Sequence, residues 1–323
     1  MKKIGIIGLI HEDGLILLKN MGFDVFKIND FEEDNLINEL KEIDGVILRT
    51  AKLSNNVLEK SKKLKIIARH GVGYDNVDID YLNNNKIALG ITGTSNAVSV
   101  AEHVMTMFLY LTKKINRSDT LVKAGNFKNK SSLPDFFEMY KKNVLILGFG
   151  RIGQSLARRC QGFESNVYVC DPFVDNNIIE QKSCKKIDLE DGIKLADFIS
   201  IHIPINKDTK NLIGKKQFSE MKNNCVLVNT SRGGIINEKD LLWALENNKI
   251  FGAGLDVFET EPPDNNHPFF KLDNILLTPH NAALTLECRK RMSVECAENI
   301  VYFFNNDKKL NINNIVNRKI LNL

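Results

Sequence analysis

Two successive series of short apolar runs, each run long enough for one buried strand, constrain the fold of this 323-residue chain more than any other feature. The first series is Lys3–Leu9, Phe23–Ile28, Gly45–Leu48, Leu64–Ala68 and Ile87–Leu89. The second is Asn143–Leu147, Val167–Cys170, Phe198–Ile203, Cys225–Asn229, Gly252–Val257 and Ile275–Leu277. Polar, helix-compatible stretches separate the runs. Alternation of this kind predicts parallel sheets with crossover helices on both faces. A longer helix is expected from near Asn96 past Leu111, with Val100, Val104, Met107, Phe108 and Leu111 on its apolar face. Asn126–Lys142 is polar, holds Pro134 and reads as a connector or arm, and a last helix spans about Leu284 to Phe304. At roughly 100–200 residues per domain, the length predicts two domains.

Composition removes several classes of function. Lys and Arg number 44 against 40 Asp and Glu, a net charge of +4 with no long basic block, so nucleic acid is not an expected partner. The longest strongly apolar stretch, Val104–Leu111, is far below the ~20 residues of a membrane helix, and no membrane partner is expected. Met1-Lys2-Lys3 before Ile4–Ile10 resembles the start of a signal peptide. The run meets His11-Glu12-Asp13 at once and no small-residue cleavage site follows, so a first buried strand is the reading. Cys160, Cys170, Cys184, Cys225, Cys288 and Cys296 show no C-x-x-C spacing. They read as reduced core residues of a cytoplasmic protein, and no metal site is expected.

The sixth run back from the C-terminus carries the most specific motif. Val144-Leu145-Ile146-Leu147 leads directly into Gly148-Phe149-Gly150-Arg151-Ile152-Gly153, and a helical pattern follows. G-x-G-x-x-G between a buried strand and a helix is the fingerprint of dinucleotide binding. Gly148 permits the turn, Gly150 admits the pyrophosphate and Gly153 lets helix and strand pack closely. The amides of Arg151 and Ile152 then face the phosphates at a positive helix end. Asp171 ends the next strand, 18 residues beyond Gly153, where a carboxylate accepts hydrogen bonds from ribose hydroxyls and repels a 2′-phosphate. NAD is therefore the expected cofactor. About 140 residues of α/β pattern precede the fingerprint, which places a substrate domain first.

Ligands of open α/β sheets bind outside the carboxyl ends of the strands. The polar residues found there in the second series are Thr230-Ser231-Arg232-Gly233-Gly234, Glu259-Thr260-Glu261 and Thr278-Pro279-His280-Asn281. Singly, a strand-end Arg also serves as a surface ion-pair residue, and a Pro-His pair also marks a turn. Together they are the groups that hydride transfer to a 2-keto acid requires. Arg232 holds the substrate carboxylate and polarises the carbonyl. His280 donates the proton. Glu261 orients that imidazole and favours its charged form.

Over nearly its full length the chain resembles the D-isomer-specific 2-hydroxyacid dehydrogenases. The matching segments are Gly71–Asp78, Ser99–His103, Gly148–Gly153, Ser231–Gly234, Asp256–Phe258 with Glu261-Pro262, and Thr278–His280. The resemblance implies two Rossmann/flavodoxin-like doubly wound parallel-sheet domains with a cleft between them. It implies residues 1–98 with 285–323 as a discontinuous substrate domain and 99–284 as the NAD-binding domain. Arg232, Glu261 and His280 become the catalytic trio, while Asp256 contacts the nicotinamide carboxamide. Thr230, Ser231, Arg232 and His280 also join the cofactor site. The loop at Val72 and Gly73 offers amides to the substrate carboxylate. A homodimer joined through the NAD-binding domain is implied, and His103 takes a structural role near that interface. His70 matches no family role and is left as solvated or structural.

Arg49, in Leu48-Arg49-Thr50, ends a first-series strand, and by resemblance it faces the substrate. Its guanidinium fork suits a phosphorylated acid, and the chain is most similar to short D-3-phosphoglycerate dehydrogenases. Serine biosynthesis would be the setting, and a C-terminal serine-sensing domain is expected to be absent. Asn281-Ala282-Ala283 departs from the Ile-Gly-Gly often found in those enzymes, so hydroxypyruvate/glyoxylate reduction and D-lactate-type activity stay as alternatives. A non-catalytic, NAD-sensing corepressor-like protein is a further alternative. An L-specific lactate or malate dehydrogenase would open with the fingerprint.

Overall fold

The strands pair in parallel throughout both sheets, because every connection between neighbours is a crossover that lays a helix on a sheet face. The computed structural model describes residues 1–323. They form two units, Met1–Asn96 with Leu284–Leu323, and Ala97–Ala283. In the first unit β1 (Lys3–Ile7), β2 (Asp24–Ile28), β3 (Gly45–Leu48), β4 (Ile66–Arg69) and β5 (Ala88–Ile91) are ordered β2-β1-β3-β4-β5. Successive residues of each central strand feed opposite cores. Leu48, Ile67 and Leu89 join one cluster, and Ile47, Ile66 and Ala88 the other. This period of two is why the runs are apolar end to end.

Helices α1 (Glu12–Asn20), α2 (Glu33–Leu40), α3 (Asn55–Lys60) and α4 (Ile79–Asn84) follow the first four strands, and the helix Leu286–Phe304 returns to the same unit. Side-chain caps set several starts: Ser54 accepts from the Val57 amide, Asp78 from Tyr81 and Thr285 from Cys288. The C-terminal segment also closes the open edge of β5. Asn317 accepts the Leu89 amide through Oδ1 at 3.0 Å and donates to the Ile87 carbonyl at 2.8 Å. An edge strand is thereby denied to other chains.

The second unit opens with α5 (Ala97–Lys113). Lys114, at φ +45°, breaks the helical path, and α6 (Ile115–Lys123) follows with no buried residue. Its sheet comprises β6 (Asn143–Leu147), β7 (Asn166–Cys170), β8 (Lys185–Lys186), β9 (Phe198–Ile201), β10 (Val226–Asn229), β11 (Gly252–Leu255) and β12 (Ile275–Leu277). The order is β12-β11-β10-β9-β6-β7-β8, so the direction of winding reverses between β6 and β9. Helices α7 (Arg151–Gly162), α8 (Asn176–Glu180), α9 (Leu189–Leu195), α10 (Lys215–Glu220) and α11 (Glu238–Glu246) complete the unit. The strand β8 has no counterpart in the apolar runs. It is two lysines at a sheet edge, both exposed, and an edge needs no apolar residue to pair on one side.

Gly14 on α1 packs tightly against the helix Leu286–Phe304. A Cβ there would lie 2.4 Å from both the carbonyl oxygen and the hydroxyl of Ser293 on the helix Leu286–Phe304. Gly→Ala inside a helix ordinarily stabilises by up to ~1 kcal/mol, yet here backbone would have to move. Gly14→Ala is expected to destabilise the protein by about 1–3 kcal/mol, the scale of overpacking. Urea denaturation checks the sign, and a gain in stability would show that the helices separate freely.

Candidate active site

The fingerprint turn is built by three glycines in different ways. Gly148 adopts φ +94°, and a Cβ on it would meet the His202 carbonyl oxygen at 2.6 Å, across from the end of β9. A Cβ on Gly153 would lie 2.2 Å from the Gly148 carbonyl oxygen. Gly150 has nothing within 4 Å of that position and caps α7 without a side chain. The first-turn amides of Arg151 and Ile152 therefore have no side-chain cap, in the crevice where the sheet reverses. This is a helix end open to a diphosphate.

Asp171 fastens that turn to the end of β7. Its Oδ2 accepts the Phe149 amide at 2.8 Å, and Oδ1 accepts the Phe173 amide at 2.9 Å. A carboxylate has about four acceptor sites, so two bonds leave capacity for ribose hydroxyls. Buried polar atoms at the neighbouring strand ends are also unmatched. Thr230 Oγ1, just past β10, and His202 Nδ1, just past β9, have no partner. Burial pushes the His202 imidazole down to about 3, which keeps it neutral. The uncapped amides, the open Gly150 face and these orphaned atoms fit a bound dinucleotide.

Beyond β10 the chain is folded by Asn229. Its Oδ1 accepts the Ser231 amide (3.0 Å) and hydroxyl (2.7 Å), and its Nδ2 donates to the Arg232 carbonyl at 2.8 Å. Arg232 donates from Nη1 to the Ser231 carbonyl at 2.7 Å. Gly233 lies so close to the next loop that a Cβ would fall 1.8 Å from the Phe258 carbonyl oxygen. The loop bearing Arg232 is thereby clasped to the loop bearing Glu261. In that second loop Glu261 Oε1 accepts the Phe258 amide at 3.1 Å, and Oε2 meets His280 Nδ1 at 2.8 Å. Glu238 braces it from α11, accepting the Glu259 amide at 2.7 Å and facing His267 Nε2 at 3.2 Å.

His280 and Glu261 are half-exposed, with side chains 50% and 38% accessible. A carboxylate on Nδ1 leaves Nε2 turned away from the pair and available to another molecule. Asp256, 1% exposed, is fully engaged by the loop beyond β12. It accepts the Thr278 hydroxyl at 2.6 Å, the Asn281 amide at 2.9 Å and the Ala282 amide at 3.0 Å. His103 of α5 reaches the same cluster, its Nε2 3.0 Å from Thr278 Oγ1. The sequence assigned no role to Asn229 or Glu238, because a polar residue at a strand end or a helix start carries no spacing signal of its own.

In the first unit the loop 71–78 is tied to the end of β3. Asn76 donates to the Ala51 carbonyl at 2.6 Å and accepts from Arg69 Nε at 3.2 Å, and Arg69 Nη1 donates to the His70 carbonyl at 2.8 Å. Val72 is exposed and Gly71 adopts φ +146°. Arg49 donates to the Leu9 carbonyl at 2.9 Å, and its pKa is lowered by partial burial and by the charge of Arg289. His70 is 5% exposed, and its Nε2 has no partner. It belongs to the interior and is not solvated. Burial, then the charge of Arg49, pushes its pKa down to about 4.

A seven-stranded parallel sheet reversing at a glycine-rich turn, with an Arg, a Glu–His pair and a buried Asp at its carboxyl edge, defines a dinucleotide-dependent α/β protein. Residues 105–282 match the NAD binding domain of the D-isomer specific 2-hydroxyacid dehydrogenases, and the chain belongs to that family. It is 36% identical over 309 residues to a D-3-phosphoglycerate dehydrogenase of Archaeoglobus fulgidus, covering 95% of this chain and 58% of that protein. It is 36% identical over 295 residues to a glyoxylate reductase of Thermococcus litoralis, covering 88% and 87%. Among solved structures, a D-lactate dehydrogenase from Aquifex aeolicus complexed with NAD and lactic acid superposes with a TM-score of 0.83 at 28% identity, covering 97% and 98%. The chain spans about three fifths of the length of the archaeal phosphoglycerate dehydrogenases it matches.

The depressed pKa of His70 has a consequence for stability. In the unfolded chain the imidazole binds a proton near pH 6.5, which the folded site refuses down to about 4. The linked stability is complete above pH 6.5 and falls as pH drops from there toward 4, on the order of 2–3 kcal/mol across the span. His70→Asn is expected to flatten that acid limb in denaturation curves taken between pH 4 and 7. An unchanged limb would assign the loss to other groups.

Proposed function

We propose that this protein is an NAD-dependent oxidoreductase acting at C2 of a D-2-hydroxy acid or the corresponding 2-keto acid. The observation that carries the reading is the 2.8 Å contact between His280 Nδ1 and Glu261 Oε2, beside the clasped loop of Arg232. Bound there, NAD would supply the hydride acceptor and NADH the hydride donor. Gly148, Gly150 and Gly153, the amides of Arg151 and Ile152, and Asp171 hold the dinucleotide. Asp256 would meet its nicotinamide carboxamide, and Thr230 and Ser231 would complete the cofactor site. Arg232 pairs with the substrate carboxylate and polarises the C2 oxygen. His280 Nε2 takes the hydroxyl proton as the acid is oxidised and returns it on reduction, while Glu261 holds Nδ1.

The substrate assigned first is 3-phosphoglycerate, or 3-phosphohydroxypyruvate in reverse, with serine biosynthesis as its setting. Arg49, partly desolvated and beside a second cation, supports a phosphate, and Val72 and Gly73 offer amides to the carboxylate. Hydroxypyruvate or glyoxylate is the second reading. It is favoured by Asn281-Ala282-Ala283 and by the match to 87% of the length of the Thermococcus glyoxylate reductase. Six free cysteines, five of them buried, support a reducing cytoplasmic setting. The chain is assigned a homodimeric state through the NAD-binding unit. In that unit α6 buries nothing, and Ile115, Val122 and Phe127 are 56%, 52% and 70% exposed.

Steady-state assays with NADH on 3-phosphohydroxypyruvate, hydroxypyruvate, glyoxylate and pyruvate test the reading. His280→Ala is expected to lower turnover by about 10²–10⁴-fold, and undiminished turnover would remove the proton role. Arg49→Ala is expected to depress kcat/KM on the phosphorylated acid much more than on the others. Parent activity greatest on an unphosphorylated acid would overturn the first choice. Val122→Asp with Phe127→Asp is expected to convert the dimer to monomer in analytical ultracentrifugation, and an unchanged mass would exclude that face.

A further inference from the structure

His280 adopts φ +50°, a left-handed conformation that costs a non-glycine residue roughly 1–2 kcal/mol. Its side chain meets Glu261, which sits on an exposed loop. The backbone on both sides of His280 is held by a different group. The buried carboxylate of Asp256 accepts from Thr278 Oγ1, two residues before it, and from the amides of Asn281 and Ala282, the two residues after it.

Proton counting sets the direction of the remaining bond. Thr278 has one hydroxyl proton, and at 2.6 Å it is given to Asp256 Oδ1. The 3.0 Å contact between Thr278 Oγ1 and His103 Nε2 then requires Nε2–H as donor. His103 Nε2 also lies 3.8 Å from Asp256 Oδ1, so either protonation state of the ring that keeps the Nε2 proton supports the carboxylate. His103 stands on α5, whose Val104, Met107 and Phe108 are sealed in the core of the second unit.

We propose that His103 and Thr278 are positioning residues for His280. A donor chain, His103 Nε2–H to Thr278 Oγ1–H to Asp256, couples the rigid α5 helix to the carboxylate that clamps residues 278–282. The chain touches neither Glu261 nor the outward Nε2 of His280. The proposal rests on His280 as the proton-transferring residue, and it adds what keeps that imidazole in place.

Four variants of the full chain test it: Thr278→Val and His103→Leu break the donor chain, while Thr278→Ser and His103→Gln keep a hydroxyl and an N–H donor. Hydrogen–deuterium exchange of the Asn281 and Ala282 amides is read on the protein without substrate. Thr278→Val and His103→Leu are expected to exchange about tenfold faster there, the scale of one lost hydrogen bond, with other core amides unchanged. For whichever acid the parent turns over, kcat is expected to fall about tenfold with KM within about twofold. The two conservative variants are expected to restore both readouts. Parent-like exchange in Thr278→Val and His103→Leu would overturn the proposal, as would equal losses in Thr278→Ser. If Thr278→Val does not fold, the His103 pair carries the test. Absence of turnover in the parent would instead refute the proposed activity and leave the exchange result to stand alone.

Discussion

A carboxylate taken wholly out of water costs several kcal/mol unless hydrogen bonds replace its hydration. Asp256 is in that position, and three donors from one short loop replace its solvent. The compensation works in both directions, because the same three bonds hold the loop that carries His280 at positive φ. Removing the acid would leave two amides and a hydroxyl buried without acceptors, and removing the donors would strand a charge. The geometry at the ends of β10, β11 and β12 depends on this exchange. Asn229 repeats it on a smaller scale around Arg232.

Parallel strands make such sites available. Each strand delivers its last residue to the same edge, where backbone groups have no further ladder partners and loops must satisfy them. In the second unit three adjacent strands end in Asn229, Leu255 and Leu277, and the residues immediately beyond them supply Arg232, Glu261 and His280. Gly233 then sets the spacing between the first two loops, since any side chain there collides with Phe258. Backbone contact, more than side-chain pairing, holds Arg232 beside the Glu261–His280 pair.

Most of the strands were legible in the sequence because a doubly covered strand is apolar at every position. Lys3–Ile7, Gly45–Leu48 and Val226–Asn229 all lie within predicted runs. The runs overshoot where apolar residues continue into the site: Val257 and Ile203 lie past the ends of β11 and β9, in loops that remain covered or half-covered. The strand β8 was invisible because two exposed lysines carry no burial signal. The break at Lys114 was invisible because a left-handed lysine looks like any other lysine in sequence. For His70 the sequence left solvated and structural roles open, and burial just past β4 selects the structural one.

By itself the sequence determined the α/β class and the dinucleotide fingerprint at Gly148–Gly153, and it put Arg232, Glu261 and His280 just beyond strand ends. These follow from local periodicity and from residue types at strand ends, which need no knowledge of distant partners. Only the tertiary structure decided how those residues are held. Asn229 folds the Arg232 loop, Gly233 closes on Phe258, His103 meets Thr278 across 175 residues of chain, and Thr278 meets Asp256 across 22. The reason is physical: a buried polar group is specified by the partners that satisfy it, and those partners are brought together by the packing of the sheet.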